Sequence, residues 1–188
     1  APREVVEVPG LIGNLGTNRD VEFATAAFGQ GIAITPIAAV RALSALANGG
    51  MLVTPHVVRR IDYTIGSSKS VSYGDEKRVL KKETSEEITR MLVETVDTAL
   101  LKGKVRLPRF SIAAKTGTAQ LVDPRGGYYE DKYLHSFFGY FPAYSPQFLV
   151  FLYMVNPRDV YFASETLTYP FIDITKFLIS YYEVPPDR

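Results

Sequence analysis

The sequence has no cysteine and no tryptophan. Without cysteine there are no disulfides, no thiolate metal sites and no cysteine nucleophile, and the compartment stays open, because either side of a membrane suits such a chain. Only two histidines occur, His56 and His135. They are too few and too far apart to suggest a metal centre, and no cofactor is expected. Charge of one sign is also lacking. The formal net charge is +1 over 188 residues, so there is no global basic field and no nucleic-acid partner is expected. The densest basic cluster, "EKRVLKK" at 76–82, reads as a solvated face. No apolar run reaches the length of a membrane-spanning helix. The longest, "FLVFLYMV" at 148–155, has the length of a strand. No signal peptide opens the chain; the irregular "VPGLIGNLGTN" near its start reads as the middle of something.

The composition is that of a folded chain, 46% hydrophobic and 22% charged. "ITPIAAVRALSALANGG" predicts a helix with both ends marked. Thr35 caps it, Pro36 suits its first position, and Asn48, Gly49 and Gly50 end it. Ile37, Val40, Leu43 and Ala47 form its apolar face. "MLVTPHVVRRIDYT", interrupted by Pro55, predicts short strands, and "GSSKS" a turn. "TSEEITRMLVETVDTALL" predicts a helix opened by a Thr84–Glu87 capping box, with Ile88, Met91, Leu92, Val96, Ala99 and Leu100 inward. Three strands follow, at 111–122, 136–142 and 147–155, the last two joined by a hairpin-length "AYSP". Pro170 opens a last helix with Phe171, Ile174, Phe177, Leu178 and Tyr181 inward, stopped by Pro185 and Pro186. The order predicts an α/β (α+β) fold, an antiparallel sheet packed by helices, without a domain boundary inside the chain.

The strand "FSIAAKTGTAQL" carries the chemistry. In an extended chain Thr116 and Thr118 share one face, and Lys115 and Gly117 the other. Gly117 lets a ligand or another backbone come close. Hydroxyls and amides on such a strand bind a carboxylate or an acyl oxygen, and a cation nearby stabilises anionic states. The plain alternative is an ordinary strand with an exposed lysine. A phosphate loop is excluded, because the glycine follows the lysine.

Lys-Thr-Gly is also the third box of serine β-lactamases and penicillin-binding proteins. Over nearly its whole length the sequence resembles the transpeptidase domain of class B (monofunctional) penicillin-binding proteins. The resemblance rests on "ATAAFGQGIAITPIAAVRALSALANGGMLVTPHVV" (24–58), "AAKTGTAQ" (113–120) and "HSFFGYFPAYSPQFLVFLYMVNP" (135–157), in that order. It implies a peptidoglycan D,D-transpeptidase that cross-links stem peptides through an acyl-serine and is acylated by β-lactams. Lys115 would lie in the cleft. Thr118, and Thr116 with it, would bind the substrate carboxylate, and the Thr118 amide would serve the oxyanion hole. Gly117 would keep the strand bare for substrate. Tyr128 and Tyr129, with Tyr133, would rim the cleft or merely cover the sheet end. Gly29-Gln30-Gly31 reads as a cleft-side loop or a tight turn before a helix, and His135 as a structural residue at the start of a strand.

The family's other two boxes are Ser-x-x-Lys, with the nucleophile, and Ser-x-Asn. No serine in this sequence fits either pattern. The resemblance therefore implies that residues 1–188 are the C-terminal portion of a transpeptidase domain. The N-terminal remainder would hold the nucleophile and a membrane anchor on the extracytoplasmic (periplasmic) side. A membrane glycosyltransferase of the division or elongation machinery would be a partner of the parent. Two other readings stand beside this one: a non-catalytic binding module or half of a split enzyme, and a β-lactam sensor or β-lactamase relative.

Overall fold

The computed structural model describes residues 10–74 and 76–188; the first residues of the irregular opening stretch lie outside them. A short 3₁₀ turn, Gly13–Gly16, precedes helix α1, Asp20–Ala26, which is additional to the predicted elements. The predicted helix is α2, Pro36–Ala47. Its N-cap Thr35 accepts from the Ala38 amide at 3.2 Å. Gly49 and Gly50 follow with φ of +74° and +90°, a left-handed turn that glycine adopts without strain. Four short strands follow: β1 (Met51–Leu52), β2 (Arg60–Asp62), β3 (Ser68–Ser70) and β4 (Lys77–Arg78). They pair as β1–β4 and β2–β3. Part of the "GSSKS" turn is thus strand: Ser68 to Ser70 pair with β2, and the reversal lies just before them.

Helix α3, Lys82–Glu94, starts two residues before Thr84, and no side chain caps it. The capping box is therefore not formed. A π-helical turn, Thr95–Ala99, extends it.

The main sheet holds β5 (Ala113–Val122), β6 (Tyr128–Phe141) and β7 (Phe148–Val155), antiparallel in that order. Strand β6 starts eight residues earlier than expected. The reason is a tight reversal over 123–127: the Asp123 amide donates to the Gly127 carbonyl, and the Gly126 amide to that of Asp123. Asp123 also takes Arg125 by its backbone amide at 2.9 Å and its guanidinium at 2.7 Å. The turn therefore closes within five residues, and the tyrosine-rich segment is free to pair with β5.

Helices cover both faces of this sheet. On one face Ile112, Ala114, Phe137 and Phe141 form a buried cluster with Phe171 and Ile172 of helix α5, Thr168–Tyr181. The short helix α4, Ala163–Thr166, lies on the same side. The Phe137 and Phe171 rings stack with centroids 4.6 Å apart. On the other face Ala113 and Tyr140 pack with Leu92 and Val93 of α3 and with Leu46 and Ala47 of α2.

Three predicted helix faces are corrected. In α2 the buried residues are Ala39 and Ala45, and Ile37 is exposed. In α3 Ser85 and Thr89 are buried with Leu92 and Val93, and Met91 is exposed. The hydroxyls can turn inward because each has a carbonyl: Ser85 donates to Leu46 at 2.7 Å, and Thr89 to Ser85 at 2.9 Å. In α5 the inward residues include Thr168, Phe171, Ile172 and Thr175, while Phe177 and Tyr181 stack on each other outside. Apolar spacing marks a helical stripe, but small and hydroxyl residues decide which side can approach a sheet closely.

Candidate active site

The sequence places Lys115-Thr116-Gly117-Thr118 in the middle of β5, which pairs with β6 and is an edge of the sheet among the described residues. An edge strand leaves a row of backbone amides and carbonyls open on its outer side. The face division predicted for the tetrapeptide holds. Cross-strand partners share a face, and the register pairs Thr118 with His135, Gly117 with Ser136, Thr116 with Phe137 and Lys115 with Phe138. Thr116 and Thr118 therefore belong to the α4/α5 side, and Lys115 and Gly117 to the α2/α3 side.

Lys115 and Thr118 are exposed. The Lys115 ammonium donates to the Thr116 carbonyl at 2.9 Å, so its charge sits against the strand's own backbone, open to solvent. No buried, uncompensated charge arises. The Thr118 hydroxyl is held from behind: it accepts from the Ala163 amide at 3.1 Å. Ala163 is the first residue of α4, whose opening amides have no partner within the helix. A strand hydroxyl thus caps a helix 45 residues away in the chain.

Gly117 has a second use that the sequence did not reveal. A Cβ built there would lie 2.5 Å from the Ser136 hydroxyl oxygen. The bare position makes room for a neighbouring side chain on its own sheet, whatever else approaches it. Gly139, in the segment of "FFGYFP", is tighter still. A Cβ there would lie 2.4 Å from Phe171 and 2.8 Å from the Ala114 side chain. It lets α5 seat its aromatic ring directly against β6, the strand paired with the one that carries the tetrapeptide.

The tyrosines separate. They lie on strand β6, in the span between the predicted strands 111–122 and 136–142. Tyr128 is partly exposed, and its hydroxyl accepts from the Gly31 amide at 2.9 Å. Tyr129 lies under the Lys132 ammonium, 4.0 Å from its ring centre. Tyr133 is buried against Tyr161, and its phenol is pushed above the ordinary range, chiefly by burial and then by the Tyr161 hydroxyl beside it. Of the three, Tyr133 covers the sheet end. Gly29 and Gly31 both have positive φ, +86° and +74°, so Gly29-Gln30-Gly31 is a tight turn. It is also docked: besides the Tyr128 contact, the Gly31 carbonyl accepts from Asn14 at 2.6 Å.

Two connections carry no signal in the sequence. His135 is fully buried, with both ring nitrogens bonded to the 161–166 segment. Ser111, just before β5, accepts from the Ala143 amide at 2.9 Å and donates to Asp187, which fastens the chain's end near the base of the strand. Both join residues too distant in sequence for any periodicity to signal.

An antiparallel sheet between two helical layers thus presents a lysine, hydroxyls and a glycine along an open edge. Comparison with known proteins shows the family. The chain belongs to the penicillin binding protein transpeptidase domain family, whose model matches residues 4–173. It is similar to stage V sporulation protein D of Bacillus subtilis, 36% identical over 88% of this chain and 26% of that protein. A peptidoglycan D,D-transpeptidase FtsI homolog of Nephroselmis olivacea is 28% identical over 87% of this chain and 30% of that protein. Among solved structures, penicillin binding protein 3 of Mycobacterium tuberculosis complexed with aztreonam superposes with a TM-score of 0.83 at 26% identity, covering 97% of this chain and 43% of that one. The chain thus spans less than half the length of each of these relatives.

Proposed function

We propose that these residues form the Lys-Thr-Gly-Thr wall of a peptidoglycan D,D-transpeptidase that cross-links stem peptides through an acyl-serine and is acylated by β-lactams. One observation carries the reading: the tetrapeptide occupies an edge strand, with Lys115 and Thr118 exposed and a protein amide fixing the Thr118 hydroxyl from behind. A hydroxyl has one proton to give and two lone pairs. With the Ala163 amide on one lone pair, the proton is left for an incoming carboxylate. Thr116 lies two residues away on the same face and would assist it. Lys115 would add positive charge where the acyl group's oxyanion develops, and an outward amide of the edge strand, at Thr118, would donate to that oxyanion. Tyr128 and Tyr129, at the start of β6, would line the outer end of the cleft.

The nucleophile is assigned to the rest of the transpeptidase domain, outside residues 1–188, since no serine of this sequence is followed three positions on by lysine. The parent would act at the extracytoplasmic face of the membrane, alongside a membrane glycosyltransferase. The test is the acylation rate of the whole enzyme by a penicillin. Thr118→Val should lower it roughly tenfold to a hundredfold, the range for a hydrogen bond to a charged group. An unchanged rate would refute the role given to Thr118.

A further inference from the structure

Strand β6 sets His135 directly across from Thr118, on the sheet face that carries α4 and α5. The imidazole is fully buried, and one segment takes both its nitrogens. Nδ1 lies 2.8 Å from the Thr166 hydroxyl and Nε2 2.9 Å from the Tyr161 carbonyl. The carbonyl can only accept, so Nε2 carries the ring proton. In the neutral imidazole Nδ1 is then an acceptor, and Thr166 gives it its single hydroxyl proton. The other acceptor within reach of that proton, the Ala163 carbonyl, is farther, at 3.3 Å. Between these two anchors lies Ala163, whose amide holds the Thr118 hydroxyl. The Tyr133 ring, 4.6 Å from that of Tyr161, packs on the same segment.

We propose that His135 is a positioning residue for the site: by latching Tyr161 and Thr166 it fixes Ala163, and through Ala163 it aims the Thr118 hydroxyl at the substrate carboxylate. A histidine that merely filled the core would need neither two partners in one segment nor a segment that ends on a site side chain. The proposal rests on the role given above to Thr118, and the experiment separates the two.

Thr166→Val removes the proton given to Nδ1 and keeps the imidazole itself in the core, whereas a change at His135 would confound the latch with folding. Thr166→Ser restores the hydroxyl. In the whole protein, hydrogen exchange at the Ala163 amide should run roughly tenfold faster in Thr166→Val, and near the parent rate in Thr166→Ser. Acylation by a penicillin should fall roughly tenfold in Thr166→Val and recover in Thr166→Ser. Acylation by the same penicillin with its carboxylate converted to a carboxamide should change little, because the latch serves the carboxylate. Unchanged exchange in Thr166→Val would overturn the latch. Faster exchange with equal losses for acid and amide, or with no loss, would overturn the positioning role. Faster exchange in Thr166→Val together with a Thr118→Val enzyme of normal rate would instead fault the role of Thr118.

Discussion

The Gly31 amide donates to the Tyr128 hydroxyl at 2.9 Å, across 97 positions of sequence. The contact joins the turn that leads toward α2 to the first residue of the strand paired with the Lys-Thr-Gly-Thr strand. It ties two weak sequence signals, a glycine pair and a tyrosine pair, into one contact. Tyr128→Phe keeps the ring and removes the hydroxyl. The expected cost is about 0.5–1.5 kcal/mol, read as a lower denaturation midpoint with an unchanged slope.

Gly139 should tolerate no side chain. Gly139→Ala drives a methyl into Phe171 and Ala114, both in the buried cluster between the sheet and α5. Overpacking of this kind costs about 1–3 kcal/mol. Trimming the ring in Gly139→Ala/Phe171→Leu should give a smaller combined loss than the two single losses added, a coupling that a double-mutant cycle measures.

Gly117 should behave differently, because the atom in the way is the rotatable end of Ser136. Gly117→Ala should unfold at nearly the parent midpoint, and still closer to it when Ser136→Ala is added. A large stability loss that Ser136→Ala leaves unrelieved would show that the clash is with backbone.

The 123–127 turn should carry an acid-dependent share of stability. Side-chain hydrogen bonds from Arg125, then the Arg125 backbone amide, hold the Asp123 carboxyl below the usual carboxylate range. The folded value lies below the unfolded one, so the contribution is present above the ordinary carboxylate pKa. It is lost as pH falls through the depressed folded value. Asp123→Asn should flatten that part of the stability–pH curve, measured by denaturant unfolding at a series of acid pH values. A curve of unchanged shape would contradict the assignment.

Much of the fold is legible in the sequence, because local chemistry determines it. Thr35, Pro36 and Gly49-Gly50 mark the ends of α2, and period-two alternation places Thr116 and Thr118 together. Helix rotation was not legible. Phe177 and Tyr181 look like core at helical spacing, yet they are exposed and Thr168 and Thr175 are buried. The start of β6 was missed because its hairpin depends on Asp123 folding back on Arg125, a contact that apolar patterning does not encode. In the site, the tetrapeptide announces itself, but the partners that hold it do not. His135, Ala163 and Ser136 reach Thr118 and Gly117 only through sheet register and tertiary packing.

The central claim is that residues 1–188 provide a wall of the site and the remainder of the domain provides the nucleophile. Acylation of the whole protein with a penicillin, followed by mass mapping of the modified peptide, tests it most directly. The predicted result is a penicilloyl group on a serine outside residues 1–188, and no covalent label on a polypeptide of residues 1–188 alone. A penicilloyl group on any serine within residues 1–188 would contradict the account.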